Sequence, residues 1–324
     1  MMHRRWPRSV QQRLIFLLAG NLGLLLLIWL LLKEGASFRL VLERSGPDLA
    51  PVILAGLGMT AVIVTGAIDL SIASIVAVSG TVFGILVYRQ TPPWICYTAC
   101  VAAALVLSVT NGLLIRASNL PAIIVTLAGL PLYRGVALIV ADLSIPRFGG
   151  NISVQDEAYH VPGKVYAGLL LTAVGAAALA WEFFARTPRH WLALGSSEEA
   201  CRLIGLNPPR ILQTAFLANG LFLGVGALIY VTRVQAIEPS RIALGFELQV
   251  IGAVVLGGTN IFGGEGSFIG TVLGAFFLYF ISQVLTYAGA SPYSQDAIAG
   301  AIIVLVIGID CALHRPRKML EELT

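Results

Sequence analysis

From Leu14 to Leu32 the chain runs through nineteen consecutive uncharged residues. As a helix rising 1.5 Å per residue this stretch reaches roughly 28 Å, about the hydrocarbon thickness of a bilayer. Comparable runs recur at 49–66, 71–87, 94–115, 120–141, 164–185, 211–231, 267–287 and 296–313. A chain built this way can satisfy its backbone in lipid only as helices or a closed barrel, and runs of about twenty residues select helices. Composition agrees: 57% of the 324 residues are hydrophobic and 12% are charged, roughly half the charge of a soluble domain. The expected fold class is therefore all-α polytopic, with about ten transmembrane helices.

Orientation follows from the basic residues. Arg4, Arg5, Arg8 and Arg13 precede the first run, and its length favours an uncleaved first span over a signal peptide. Ten spans put both termini in the cytoplasm. Twelve Lys and Arg then fall inside and eight outside, with Arg134 in a span, in the sense of the positive-inside rule. The net charge of +4 is accounted for by these loops and does not point to nucleic acid. Lys33–Asp48, Asp142–Gly163, Thr232–Leu244 and Ala288–Gln295 are expected as external loops. One domain spans 1–324, with a basic head at 1–13, a polar loop at 186–210 and a tail at 314–324, all cytoplasmic.

The stretch Ala243–Gly274 breaks the pattern. Phe246–Leu256 is too short to cross a bilayer, and Gly257, Gly258, Thr259, Gly263, Gly264 and Gly266 follow before apolar sequence resumes at Ser267. Broken backbone at membrane depth must be buried in protein or line a water-filled cavity, and in transporters it often lies beside the substrate route. A tight interhelical turn with close-packed glycines fits the letters equally well.

Other embedded polar residues stand out. Asp69 and Ser71 lie within forty apolar residues, where two spans must meet. Asp69 either caps the next helix or is a buried charge at a pathway or hinge. Arg134 must face protein, water or an acid, with Asp69 and Asp142 as possible partners. Asn111, Thr126, Tyr133, Asn219, Gln283 and Tyr287 are the hydrogen-bonding candidates for a polar solute, and Glu247 begins the broken segment. Within 186–210, Ser196 or Ser197 can cap a short helix, Glu198 and Glu199 suit its N-terminus, Ala200, Leu203 and Ile204 form a small apolar face, and Gly205 suits its stop. Such a face has to be buried on something.

Catalytic and nucleotide chemistry is not encoded. Of the three lysines, Lys33, Lys164 and Lys318, only Lys164 follows a glycine, and Val165 follows it, so no phosphate-binding loop can be built. Cys96, Cys100, Cys201 and Cys311 and the four histidines have no metal-ligand spacing. An energy-driven transporter with this sequence would take its ATP chemistry from a partner. The other class is a self-contained secondary carrier or channel, which calls for embedded ionisable groups, and here these are chiefly Asp69 and Arg134.

Several segments carry a resemblance. Phe246-Glu-Leu, then Ile-Gly-Ala-Val-Val-Leu-Gly-Gly-Thr and Phe-Gly-Gly-Glu-Gly-Ser, together with Gly66-Ala-Ile-Asp-Leu-Ser and the Pro121/Thr126/Arg134-Gly135 pattern, resemble the permease of bacterial ATP-binding-cassette monosaccharide importers. It departs at Gln249, where many members carry an acid. The resemblance covers roughly 49–313. It implies a coupling helix over Gly195, Ser197, Glu198, Glu199, Ala200, Arg202 and Gly205 that inserts into the ATPase subunit. ATP and Mg would be bound by that partner and no cofactor by this chain. A second permease chain and a periplasmic sugar-binding protein would complete the assembly in the inner membrane. Importers of autoinducer-type furanoses and of nucleosides share the scaffold.

Overall fold

The structure is a computed structural model that describes residues 8–32, 35–145, 151–234 and 236–313. The basic tail 314–324 and most of the head 1–13 lie outside the described residues.

Thirteen helices and one two-residue strand pair make up the described residues. α1 is Arg8–Leu31, α2 Gly35–Ile63, α3 Ile72–Tyr88, α4 Pro93–Ser118 and α5 Ala122–Ser144. β1 (Ile152–Ser153), a 3-10 turn at Glu157–Tyr159 and α6 (Val161–Lys164) lead into α7 (Ala167–Phe184). α8 (Thr187–Ser196), α9 (Glu198–Leu203) and α10 (Pro208–Val231) follow. β2 (Ala236–Ile237), α11 (Phe246–Leu256), α12 (Phe268–Tyr287) and α13 (Pro292–Leu313) complete the chain. Among the described residues seven helices are long and apolar enough to span a membrane, and α3 and α11 are shorter apolar helices. This is an all-α polytopic membrane protein.

α2 and α10 form the centre. About three-quarters of each one's apolar window is buried, against about a sixth for α1 and α7. Burial of this kind in a membrane reflects helix packing, since lipid is as apolar as leucine. α10 packs on α2 and α4, α3 on α4 and α5, α1 on α12, and α11 on α2 and α12.

The α11–α12 pair depends on missing side chains. A Cβ at Gly270 would lie 2.1 Å from the Gly257 carbonyl oxygen, and one at Gly274 2.2 Å from that of Ala253. Backbone meets backbone here, as small-residue interfaces allow.

Four sequence expectations are corrected. Lys33–Asp48 is not a loop from Gly35 onward: α2 begins there, because Phe38 and Val41 pack with Ile28 and Phe280 and give that polar segment an apolar stripe. Lys164 ends the one-turn α6, so α7 starts only at Ala167. α13 starts at Pro292 rather than Asp296. The short helix expected within 186–210 forms as α9, capped by Ser197, but Gly195, assigned to it, lies in a separate helix, α8, because Ser197 is extended (φ −165°, ψ 114°) between the two.

The bundle has two polar ends. At one, β1 pairs antiparallel with β2, Tyr97 and Tyr159 donate to the carbonyls of Ala158 and Thr91, and Lys164 pairs with Glu157 at 2.8 Å. Arg233 and Asp48 form an ion pair there, and Tyr279 donates to the same carboxylate. At the other end Arg13 reaches the Gly258 carbonyl, and the 257–267 turn meets residues 64–66 and 195–196.

Gly274→Val should abolish recovery of monodisperse protein in detergent, because the α11–α12 contact cannot move apart without losing both helices. Gly175→Val, where an added Cβ meets nothing within 4 Å, should elute as wild type in the same gel filtration.

Candidate translocation and coupling site

Three places in the bundle hold non-helical or ionisable groups among the spans. The first surrounds Asp69. α2 ends at Ile63, and residues 64–71 turn back before α3. Asp69 is fully buried, as are Ser71, Asn111, Thr126 and Asn219. Its Oδ1 accepts from the Ser71 amide (3.0 Å) and the Ser71 hydroxyl (2.6 Å), and its Oδ2 from Asn219 Nδ2 (3.0 Å). Asn111 donates to Ser71 Oγ (2.8 Å) and accepts from the Tyr133 hydroxyl (2.7 Å). Thr126 donates to the Ile68 carbonyl (2.9 Å).

The network ties the 64–71 segment to α4, α5 and α10. Asp69 does not cap α3. The N-cap residue is Ser71, without a side-chain cap bond, and Asp69 closes the turn two residues before the helix. Ser108 joins the network, donating to the Phe216 carbonyl (2.8 Å) and accepting from Asn219 (3.2 Å). It was not singled out from sequence, since a lone serine in an apolar span carries no signal. Gln283 and Tyr287, on α12, take no part in these bonds.

The second place is the approach to α11. Arg134, near the midpoint of the 23-residue α5, donates through Nη1 to the carbonyls of Pro239 (2.9 Å) and Ile242 (2.8 Å). Its partner is thus neither Asp69 nor Asp142 but the backbone of the segment re-entering toward α11. Backbone oxygens answer the cation because, within 238–245, the carbonyls of Glu238, Arg241, Ala243 and Gly245 accept backbone amides while those of Pro239 and Ile242 accept Arg134 instead. Glu247, in the first turn of α11, lines one cleft with Arg134, Ser74 and Ser240.

The third place is the glycine turn. Ser267 caps α12, accepting from the Gly270 amide, and the buried Glu182 of α7 accepts from the Phe268 amide at 3.0 Å. Glu182 was missed by sequence reasoning, although a single acid inside an apolar span is a visible signal. Gly263 and Gly264 have φ of +88° and +82°, left-handed values that favour glycine. The Gly264 amide donates to the Val64 carbonyl at 3.0 Å.

Gly195, the penultimate residue of α8, is pressed against that bond. A Cβ there would lie 2.0 Å from the Val64 oxygen and 2.4 Å from the Gly264 nitrogen. Gly257 and Gly258 close α11, Gly266 packs against Thr259 and Val64, and Thr259 is buried with its hydroxyl unpaired. So the α8 end, the α2 end and the glycine turn share one backbone junction.

Beyond the junction, Ser197 accepts from the Ala200 amide at 3.1 Å and caps α9. Glu198 pairs with Arg202 at 2.7 Å on the exposed face, and Glu199 and Ala200 are exposed. Gly205 follows the helix with φ +79°. Leu203 and Ile204 are 82% and 72% exposed, so the apolar face of α9 finds no cover among the described residues.

A multi-helix bundle with interrupted spans, and short helices rooted on the interruption, is the architecture of a membrane permease. Residues 48–307 match the family model described as branched-chain amino acid transport system / permease component. The chain is 31% identical over 263 residues to the ribose import permease protein RbsC of Escherichia coli K12, covering 78% of this chain and 80% of that one. It is 32% identical over 262 residues to the RbsC of Bacillus subtilis 168, covering 79% and 80%. Over 276 residues it is 30% identical to the autoinducer 2 import system permease protein LsrC of E. coli K12/DH10B, covering 82% and 78%. The chain belongs to this family of ATP-binding-cassette importer permeases.

Replacing Asp69 by Ala should strand three buried donors and lower stability by about 3 kcal/mol, read as a drop in the melting temperature of the purified protein. Asp69→Asn keeps an acceptor for Ser71 and should lose distinctly less. Equal melting of all three proteins would contradict the network's structural weight.

Proposed function

We propose that this chain is the membrane-spanning half of a bacterial inner-membrane sugar importer, moving a monosaccharide with energy from ATP and Mg bound by a partner ATPase subunit. The observation that carries it is the lever. α9 presents Leu203 and Ile204 to solvent, while Gly195, at its root, bears directly on Val64 and Gly264. An apolar face of that size persists when a partner covers it.

In this reading α9 seats in the ATPase. Closure of the ATPase dimer pushes α8, and the junction passes the movement to α2 and to the turn between α11 and α12. A rigid backbone contact transmits displacement where a flexible side chain would absorb it. The sign of the motion is set by the two-state spans, which open alternately to each side. Gly195, Ser197, Glu198, Glu199, Ala200, Arg202 and Gly205 belong to the lever. Gly257, Gly258, Thr259, Gly263, Gly264 and Gly266 receive its movement.

Both termini and the 186–210 loop face the cytoplasm in a ten-span permease domain. A second permease chain frames the pathway, and a periplasmic sugar-binding protein delivers the solute to the end bearing β1 and β2. Sugar is favoured over other solutes because two relatives are named for ribose. A furanose of the autoinducer type is the second reading, favoured by the similar identity to a permease named for autoinducer 2. A self-contained ion-coupled carrier fits less well. Asp69 accepts hydrogen bonds on both oxygens and has no exposure, which suits a structural acid better than a cycling proton or ion site.

Two outcomes test the coupling. Exchanging Glu198–Arg202 for Gly/Ser should leave membrane insertion intact while ATP hydrolysis by the complex no longer drives sugar uptake. Gly195→Val should give the same uncoupling with α9 itself unaltered. Concentrative uptake by the purified chain alone in liposomes, driven by an ion gradient, would overturn the importer reading.

A further inference from the structure

Arg134 and Glu247 line the same mid-depth cleft, yet no ion pair or hydrogen bond joins them among the described residues. Opposite charges placed this deep in a membrane bundle ordinarily close on each other, since each is costly alone. Here the Arg134 Nη1 is engaged with the Pro239 and Ile242 carbonyls. That holds the guanidinium in place and leaves Nη2 and Nε without a hydrogen bond among the described residues.

Across the cleft, Glu247 Oε2 is buried and unpaired. Ser74, on α3, is fully buried and its hydroxyl has no partner either. Unsatisfied buried polar atoms are uncommon, and each calls for an explanation. Two of them here, on separate helices, edge one cleft beside a fixed cation.

We propose that this cleft, formed by α3, α5, α11 and the 238–245 segment, is a polyol-binding station on the permease itself, with Glu247, Ser74 and Arg134 as its polar contacts. The chemistry selects a neutral polyhydroxylated solute. A carboxylate oxygen accepts from sugar hydroxyls, the free guanidinium N–H groups donate to a hydroxyl or ring oxygen, and the serine hydroxyl does either. An anionic solute would be drawn to Arg134 but repelled by Glu247, and a cationic one the reverse, so the pair gives a singly charged solute no net attraction. Apolar Leu244 and Leu138 on the rim suit the C–H face of a sugar ring. The pairing is also self-limiting. A charge-assisted hydrogen bond is strong enough to desolvate a hydroxyl, and three contacts are few enough to release it.

The inference deepens the sugar-importer reading and rests on it. The complete complex of permease, ATPase and receptor would be reconstituted in liposomes and tested with D-ribose, D-xylose, D-galactose and L-rhamnose. The sugar moved fastest by the wild type would then be compared with its monodeoxy analogues at saturating receptor. Glu247→Gln should cut kcat/KM about tenfold, the scale of one charged hydrogen bond. It should also bring the ratio between the sugar and at least one deoxy analogue close to one. Ser74→Ala removes a hydroxyl that bonds nothing among the described residues, so a purely structural role predicts no change, whereas the station predicts a several-fold loss with its own deoxy signature. Wild-type rates and unaltered deoxy discrimination in both variants, with uptake intact, would overturn the station alone. No uptake of any of the four sugars by the wild-type complex would overturn the importer reading and the station with it.

Discussion

Every departure from a helix in this bundle has to be completed by protein, because hydrocarbon offers neither donor nor acceptor. Three departures lie among the packed spans, and each is met by one ionisable side chain. Asp69 takes the Ser71 amide where α2 gives way to α3. Arg134 gives to Pro239 and Ile242 where the chain re-enters toward α11. Glu182 takes the Phe268 amide where α12 starts. The signs follow the backbone group left over: acids sit at exposed amides before helix starts, and the cation sits at exposed carbonyls. Embedded charge here is first a way of letting helices stop inside the bundle.

That solution shapes the mechanics. Asp69 links 64–71 to α10 through Asn219 and lies near α4 through Asn111, so the α2–α10 centre and the start of α3 move as one body. The glycine turn has no such network. It touches the rest through the Gly264 amide on Val64, Gly195 against both, and Arg13 on the Gly258 carbonyl. A turn held by a few backbone contacts at a rigid rim can shift as a unit, and it carries the half-span α11 with it.

Much of this was legible in the letters. α11 and α12 begin and end within a residue of their expected bounds, because glycines and Ser267 flank unbroken apolar runs. Asp69, Ser71, Asn111 and Thr126 were each recognisable as polar residues in apolar spans, though their convergence depends on helices distant in sequence. The start of α2 was hidden by its polar residues, since an apolar stripe of two or three residues is read only when its cover, Ile28 and Phe280, is in place. The partner of Arg134 had no letter at all: main-chain oxygens are present at every position, and only the fold says which are free. Ser197 was readable as a cap, but α8 before it was hidden, because among its polar residues only Pro188 and Trp191 are buried.

A half-span has one property that a full span lacks: it brings a helix N-terminus to mid-depth. The start of α11 carries Glu247 in its first turn, facing a cation that the neighbouring carbonyls hold back. A full-length helix at this position would place its terminus in the headgroup region and leave the cleft lined by apolar side chains. The shortness of α11, which ends at Leu256, is therefore what permits polar chemistry at the centre of the bundle. The same half-span supplies, at its other end, the turn on which the lever bears. One interruption serves both the place where a solute would be held and the place where movement enters. This gives a physical reason for the two functions to share the stretch from 243 to 274.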